Sequence, residues 1–281
     1  MEMKSEMIGG RKHSWQESGS GRPVVLIHGI PTSPALWRHV TPLLDARALC
    51  WTMQGYGALM GAAHDTDISV GAQADYLADF IRHLDIGPVV LAGHDLGGGV
   101  AQIVAVRHPE LVSGLFLTNA ISYDSWPIPS VKAVAATGGL VKHLPDGGLR
   151  EFLRNFLKGG HDNDVLAAEA LDAHWPHYEA GGGAESFVAQ VRSLDVKDTT
   201  SIQDALPGLN IPARLAWGDS DQFQKVEYGE RLSRDLNAPL RRIDGAKHFT
   251  PEDHPKIIAE EITALLGEVG SSNPDRPQGT A

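Results

Sequence analysis

Asp95 lies in the run VVLAGHDLGGGVAQ (89–102), between a β-branched apolar segment and a stretch that turns helical. Small residues flank it on both sides, as a tight strand-to-helix turn requires. Such a turn holds its tip residue out beyond the strand; in the G-x-S-x-G form the tip is a serine, and here it is a carboxylate. A carboxylate attacking an ester or amide carbonyl would form an energy-rich anhydride. Attack on a saturated carbon gives an ordinary alkyl ester instead, which an activated water can hydrolyse to restore Asp95. The competing reading is structural: Asp95 caps the helix that begins near Leu96.

Two further places carry reactive types. Gly218-Asp219-Ser220-Asp221 follows the apolar run ARLAW, and Lys247-His248-Phe249 follows LRRI. Either aspartate could orient His248 as a general base, and the chain order is then nucleophile, acid, histidine. His28 and His94 read as structural, His254 belongs with the helix opened by Pro255, and the other histidines read as surface residues. No spacing argues for a metal.

These residues need strands that end at one edge. Pro23 to His28, Ala46 to Thr52, Val89 to His94, Leu111 to Asn119, Ala213 to Trp217 and Leu240 to Ile243 read as strands, and a weaker pair of outer strands precedes them. Helices are expected from near Ser33 (Leu36, Trp37, Val40 and Leu43 inward), from Ser69 (Val70, Ala74, Leu77, Ile81 and Leu84), over about Val226 to Leu236, and from Pro255 to Leu266. Strands alternating with helices predict an α/β fold with a mostly parallel, doubly wound sheet, whose strand ends share an edge where ligands bind. Between Ala120 and about Pro207 the pattern is helical, broken by Gly and Pro, with scattered aromatics. The expected organisation is a core of residues 1–119 and 208–266, an inserted helical cap over 120–207, and a disordered tail over 267–281.

The 281 residues are 42% hydrophobic and 21% charged, which suits a well-buried core. A formal charge of -11 without a basic run disfavours nucleic acid or an anionic membrane as partner. The single cysteine, Cys50, excludes a disulfide framework and a cysteine zinc site. With no apolar leader and no span-length segment, the expectation is a cytoplasmic protein.

HGIPTSPALWR (28–38), QGYG (54–57), GHDLGG (93–98), WGDSDQF (217–223) and KHFTPEDHP (247–255) together resemble the α/β-hydrolase fold superfamily, in particular its aspartate-nucleophile branch of epoxide hydrolases and haloalkane dehalogenases. The resemblance implies Asp95 as nucleophile, His248 as base and Asp221 as its acid, with Asp219 the alternative. It implies an oxyanion hole from the backbone N–H groups of Leu96 and Ile30, and no cofactor. Leu96 and Ile30 stand where haloalkane dehalogenases typically carry halide-gripping Trp and Asn, and the arginine that follows the nucleophile in fluoroacetate dehalogenases is absent. Epoxide hydrolases use the His-Gly-x-Pro loop, present as His28 to Pro31, and cap tyrosines that protonate the epoxide oxygen. Tyr123 and Tyr178 are the candidates, and Trp126 and Trp175 are candidate halide donors or pocket lining. The expected activity is epoxide opening on a small hydrophobic substrate with water, with dehalogenation second. A small-molecule receptor of the same fold is the reading from another class.

Overall fold

A computed structural model describes residues 1–271 apart from 130, 134, 137–146 and 181. Eight strands form one sheet: β1 (Glu2–Ile8), β2 (Arg11–Ser18), β3 (Pro23–Ile27), β4 (Arg47–Trp51), β5 (Val89–His94), β6 (Val112–Thr118), β7 (Ala213–Gly218) and β8 (Leu240–Ile243). Their order is β1-β2-β4-β3-β5-β6-β7-β8. β1 runs antiparallel to β2, and β2 to β4; every other pairing is parallel. Helices cover both faces of the parallel part, so β5 is buried at every residue, and its sequence shows a continuous apolar run where a half-exposed strand would alternate.

β3 lies between β4 and β5, so successive connections leave it in opposite directions and open a crevice at the carboxyl ends of the strands. Register makes those ends level. Gly93 faces Ile27, His94 faces Thr118, Thr118 faces Ala216, and Gly218 faces Ile243. The turns that carry Asp95, Asp221 and His248 therefore open onto one edge.

Helix α1 (Val70–His83) starts where the Ser69 side chain accepts the Ala72 N–H, and it buries Val70, Ala74, Leu77 and Ile81 at helical spacing. Helix α2 (Leu96–Arg107) packs under the sheet centre with ten consecutive buried residues, Leu96 to Ala105. Between β6 and β7 come α3 (Gly148–Gly160), α4 (Asp164–Ala180), α5 (Gly183–Arg192) and the single turn α6 (Lys197–Thr200). Among the described residues this insertion contains no strand. α3 buries Leu149, Leu153 and Leu157 along one stripe, each contributing about 1.5–3 kcal/mol. The chain closes with α7 (Val226–Asp235), α8 (Thr250–Asp253) and α9 (Pro255–Ser271).

Two sequence expectations are corrected. The helix from Ser33 is instead a pair of 3₁₀ turns, Pro34–Trp37 and Thr41–Leu43. Pro42 has no N–H to give back to the preceding turn, so a continuous helix cannot pass it. Leu36, Trp37 and Val40 are still buried, but Leu43 is 47% exposed. The tail is also shorter than expected, because α9 continues through Ser271. Arg22 donates to the Leu266 carbonyl at 2.8 Å, Glu268 pairs with Arg214 at 2.7 Å, and Val269 packs on the core. The rest of the expected disordered segment lies outside the described residues. No helix among the described residues is long and apolar enough to cross a membrane.

Candidate active site

Asp95 holds φ 51°, ψ −122°, a conformation that costs an L residue about 1–3 kcal/mol and persists only where its surroundings enforce it. Gly97 is part of that enforcement. A Cβ there would lie 2.2 Å from the Ile27 carbonyl oxygen, so only glycine lets α2 start this close to β3. The Asp95 side chain makes no capping bond to α2, which sets aside the reading of it as a helix cap. Its Oδ2 accepts the Ile30 N–H at 3.0 Å. Burial raises the Asp95 pKa above the usual carboxylate range, and the nearby His248 and the Ile30 and Leu96 N–H groups oppose that rise.

His248 faces the other carboxylate oxygen, with Nε2 4.0 Å from Asp95 Oδ1. Its Nδ1–H donates to Asp221 Oδ2 at 2.9 Å. Burial alone would lower the His248 pKa, but the Asp221 charge and hydrogen bond, with Asp95 behind them, raise it. Asp221 also accepts from Asn119 Nδ2 at 2.7 Å and, on Oδ1, from the Phe223 and Gln224 N–H groups at 2.7 and 3.0 Å. Asp219 is bonded elsewhere, to the Gly245 N–H at 2.9 Å and the Ser220 hydroxyl at 3.3 Å. Of the two candidate acids, the fold brings only Asp221 into hydrogen bonding with His248.

The main chain of His248 is fixed from two sides. Its N–H donates to the Gly160 carbonyl at 2.9 Å, and its carbonyl accepts from His94 Nε2–H at 3.0 Å. His94 is thus a buried strut held neutral, its pKa pushed far down by burial. His28 is another: Nδ1–H donates to Gly29 O at 2.9 Å, Nε2 accepts the Met53 N–H at 3.3 Å, and burial lowers its pKa to about 3. His254 sits before Pro255 and meets Asp162 at 2.7 Å, away from Asp95.

Asp95, His248 and Gln224 open on a cavity whose other walls are mostly apolar, including Ile30, Ile121, Trp126, Phe156, Leu194 and Phe223. Trp126 is there as lining, but its indole N–H is committed to Thr199 Oγ1 at 2.6 Å. The other three cap candidates do not line this cavity. Tyr123 donates to Asp235 at 2.6 Å with Arg231 over its ring, and Tyr178 donates to Gln190 at 2.9 Å. Trp175 is half-buried on α4, with Arg150 5.9 Å from its ring centre. The physical reason is common to the tyrosines: a buried hydroxyl must find a partner, and here both partners belong to the scaffold.

Asn119 and Gln224 were missed in the sequence. Asn119 directly follows β6 at the edge where Asp95 lies, and its place at the end of LVSGLFLTN was the available signal. Gln224 follows Asp221 in a turn whose direction no periodicity reveals.

A family model described as an alpha/beta hydrolase family matches residues 24–261. The chain is similar to an uncharacterized protein of Mycobacterium tuberculosis, 34% identical over 92% of this chain and 79% of that one. It is similar also to a soluble epoxide hydrolase of Corynebacterium sp. (strain C12), 26% identical over 92% of this chain and 94% of the relative. Among solved structures, an alpha/beta hydrolase fold protein from Burkholderia ambifaria superposes with a TM-score of 0.86 at 23% identity, covering 93% of this chain and 97% of that one.

Proposed function

The chain belongs to the alpha/beta hydrolase family, and from that premise we propose that it cleaves a bond at a saturated carbon with Asp95 as nucleophile and His248 as base. The observation that carries this reading is the division of the Asp95 carboxylate: Oδ2 rests on the Ile30 N–H while Oδ1 faces His248 across 4.0 Å. Oδ1 attacks the carbon, forming an alkyl ester, and the bond to the leaving atom breaks with its electron pair. Water then attacks the ester carbonyl and gives its proton to His248 Nε2, while Asp221 stabilises the imidazolium. The Ile30 and Leu96 N–H groups receive the oxyanion of that second step. The tetrahedral centre collapses, the alcohol leaves with the proton from His248, and the Asp95 carboxyl gives up the second proton of the water to solvent, which restores the carboxylate.

The apolar cavity supports a small hydrophobic substrate. Epoxide opening is supported by the similarity to the soluble epoxide hydrolase. Displacement of a halide is supported by the bonding of Tyr123 and Tyr178 elsewhere, because an opened epoxide leaves an alkoxide that needs a proton, whereas a halide departs as a stable anion.

The test is a single turnover in heavy-oxygen water, with enzyme in excess over each member of a panel of epoxides, haloalkanes and esters. Product should be largely unlabelled and the peptide containing Asp95 labelled, and His248→Gln should stall as a covalent ester. Label in the first product and none in that peptide would mean that water attacks substrate directly. Binding without any label uptake would favour the receptor reading.

A further inference from the structure

Among the described residues, the cavity holds one polar side chain that the two-step chemistry leaves unused. Gln224 is 2% exposed, lines the cavity with Asp95 and His248, and its Oε1 has no hydrogen-bond partner. An unsatisfied buried amide costs about 1–3 kcal/mol, a cost that is relieved when something outside the protein completes the bonding. The backbone of the same residue is fully employed: its N–H donates to Asp221 at 3.0 Å and its carbonyl accepts the Trp217 indole N–H at 2.7 Å. The carboxamide is thus anchored by the element that carries the acid, yet it bonds to nothing in the scaffold. Rotation about its terminal bond lets it present the NH₂ end, with two donors, to a ligand.

We propose that the Gln224 carboxamide is the hydrogen-bond donor that receives the leaving atom, and that the leaving group is one that departs as a stable anion. This rests on Asp95 being the nucleophile. Donors are scarce: among the described residues lining the cavity, Asp95 and His248 have their own roles, and the Trp126 N–H is held by Thr199. A carboxamide solvates an anion but does not surrender a proton near neutral pH. In the step that follows, Asp95 Oδ1 forms a bond to carbon, the carbon–halogen bond breaks, and the negative charge passes from carboxylate to halide with no proton moved. Opening an epoxide here would strand an alkoxide against a group unable to protonate it.

The experiment compares wild type with Gln224→Met, which keeps the length and removes the donor, and with Gln224→Glu, which adds charge. Pre-steady-state halide release is followed from matched 1-chloro-, 1-bromo- and 1-iodoalkanes, with label in the Asp95 peptide read in parallel. Both variants should release halide on the order of 10²–10³-fold more slowly. The loss should be largest for chloride, the poorest leaving group, and smallest for iodide. Inhibition by added bromide should weaken with it. An equal loss across the three halides would assign Gln224 a packing role, and unchanged release, or Asp95 labelling from epoxides alone, would also overturn the proposal. Asp95 unlabelled by every substrate would instead overturn the nucleophile on which it rests.

Discussion

Asp221→Asn tests the arrangement behind His248 most directly, because the structure dictates how the replacement must sit. Four donors converge on the carboxylate: His248 Nδ1 at 2.9 Å and Asn119 Nδ2 at 2.7 Å on Oδ2, and the Phe223 and Gln224 N–H groups at 2.7 and 3.0 Å on Oδ1. An asparagine offers a single acceptor oxygen, so one pair of donors must meet an NH₂ group. The two main-chain N–H groups cannot turn away, and orphaning them would cost about 1–3 kcal/mol each. Asn119 is held in place as well, its Oδ1 accepting from Thr250 at 3.0 Å and Thr118 at 3.2 Å. The amide oxygen therefore faces the backbone and the NH₂ faces His248, whose Nδ1 must become the acceptor. The proton then sits on Nε2, the nitrogen that has to receive one from water. Ester hydrolysis should fall by about 10⁴-fold, equivalent to about 5 kcal/mol of barrier, while alkylation by Asp95 continues. Intact-protein mass spectrometry during turnover should show the ester accumulating and the steady-state rate collapsing. Turnover within about tenfold of wild type, or no accumulated ester, would refute the assignment of Asp221.

Two further expectations follow from the same geometry. Tyr123→Phe and Tyr178→Phe should leave the rate of ester formation unchanged, and Tyr123→Phe should lower stability by about 1–2 kcal/mol in urea unfolding, because Asp235 loses a donor at 2.6 Å; slowed epoxide opening in either variant would return a hydroxyl to the chemistry. The pH dependence should separate the steps. His248 must be neutral to act, and Asp221 holds its pKa up against burial, so ester decay should gain rate as pH rises through that pKa and then level off. Asp95 must be ionised and its pKa is raised too, so ester formation should fail at a pH above that of an ordinary aspartate. Stopped-flow measurement of the two phases checks both, and ester decay independent of pH would contradict His248 as the base.

The parts of the fold that repeat a rhythm were readable from the chain. Val89 to His94 and Leu111 to Asn119 show themselves because strands buried on both faces are rich in apolar residues, and Asp95 directly follows the first of them, whereas the strand before His248 is the half-exposed LRRI. The proximity of Asp221 to His248 was less accessible, since Asp219 stands equally close in sequence and only the turn after Gly218 separates them. The tyrosines misled because a hydroxyl's partner is set by tertiary packing: that of Tyr123 lies 112 residues away on α7. The turns after Ser33 were misread because apolar spacing outweighed Pro42 in a region where the missing N–H decides the local structure. Gln224 escaped because an unpaired amide is visible only once every neighbour is known.

The carbonyl of Gly160 accepts the N–H groups of both His248 and Phe249, at 2.9 and 3.1 Å, and a Cβ at that position would lie 2.5 Å from the Phe249 ring. Next to it His161 meets Asp253 at 2.6 Å, and Asp162 accepts the Lys247 N–H at 2.8 Å. The end of α3 is thus sutured to the loop that bears the base. An exchange of helical insertions between members of this family would here transplant part of the support of His248 along with a wall of the cavity. A graft that leaves residues 160–162 in place would change what the cavity admits; one that removes them would also unseat His248, and the two designs would fail in different ways.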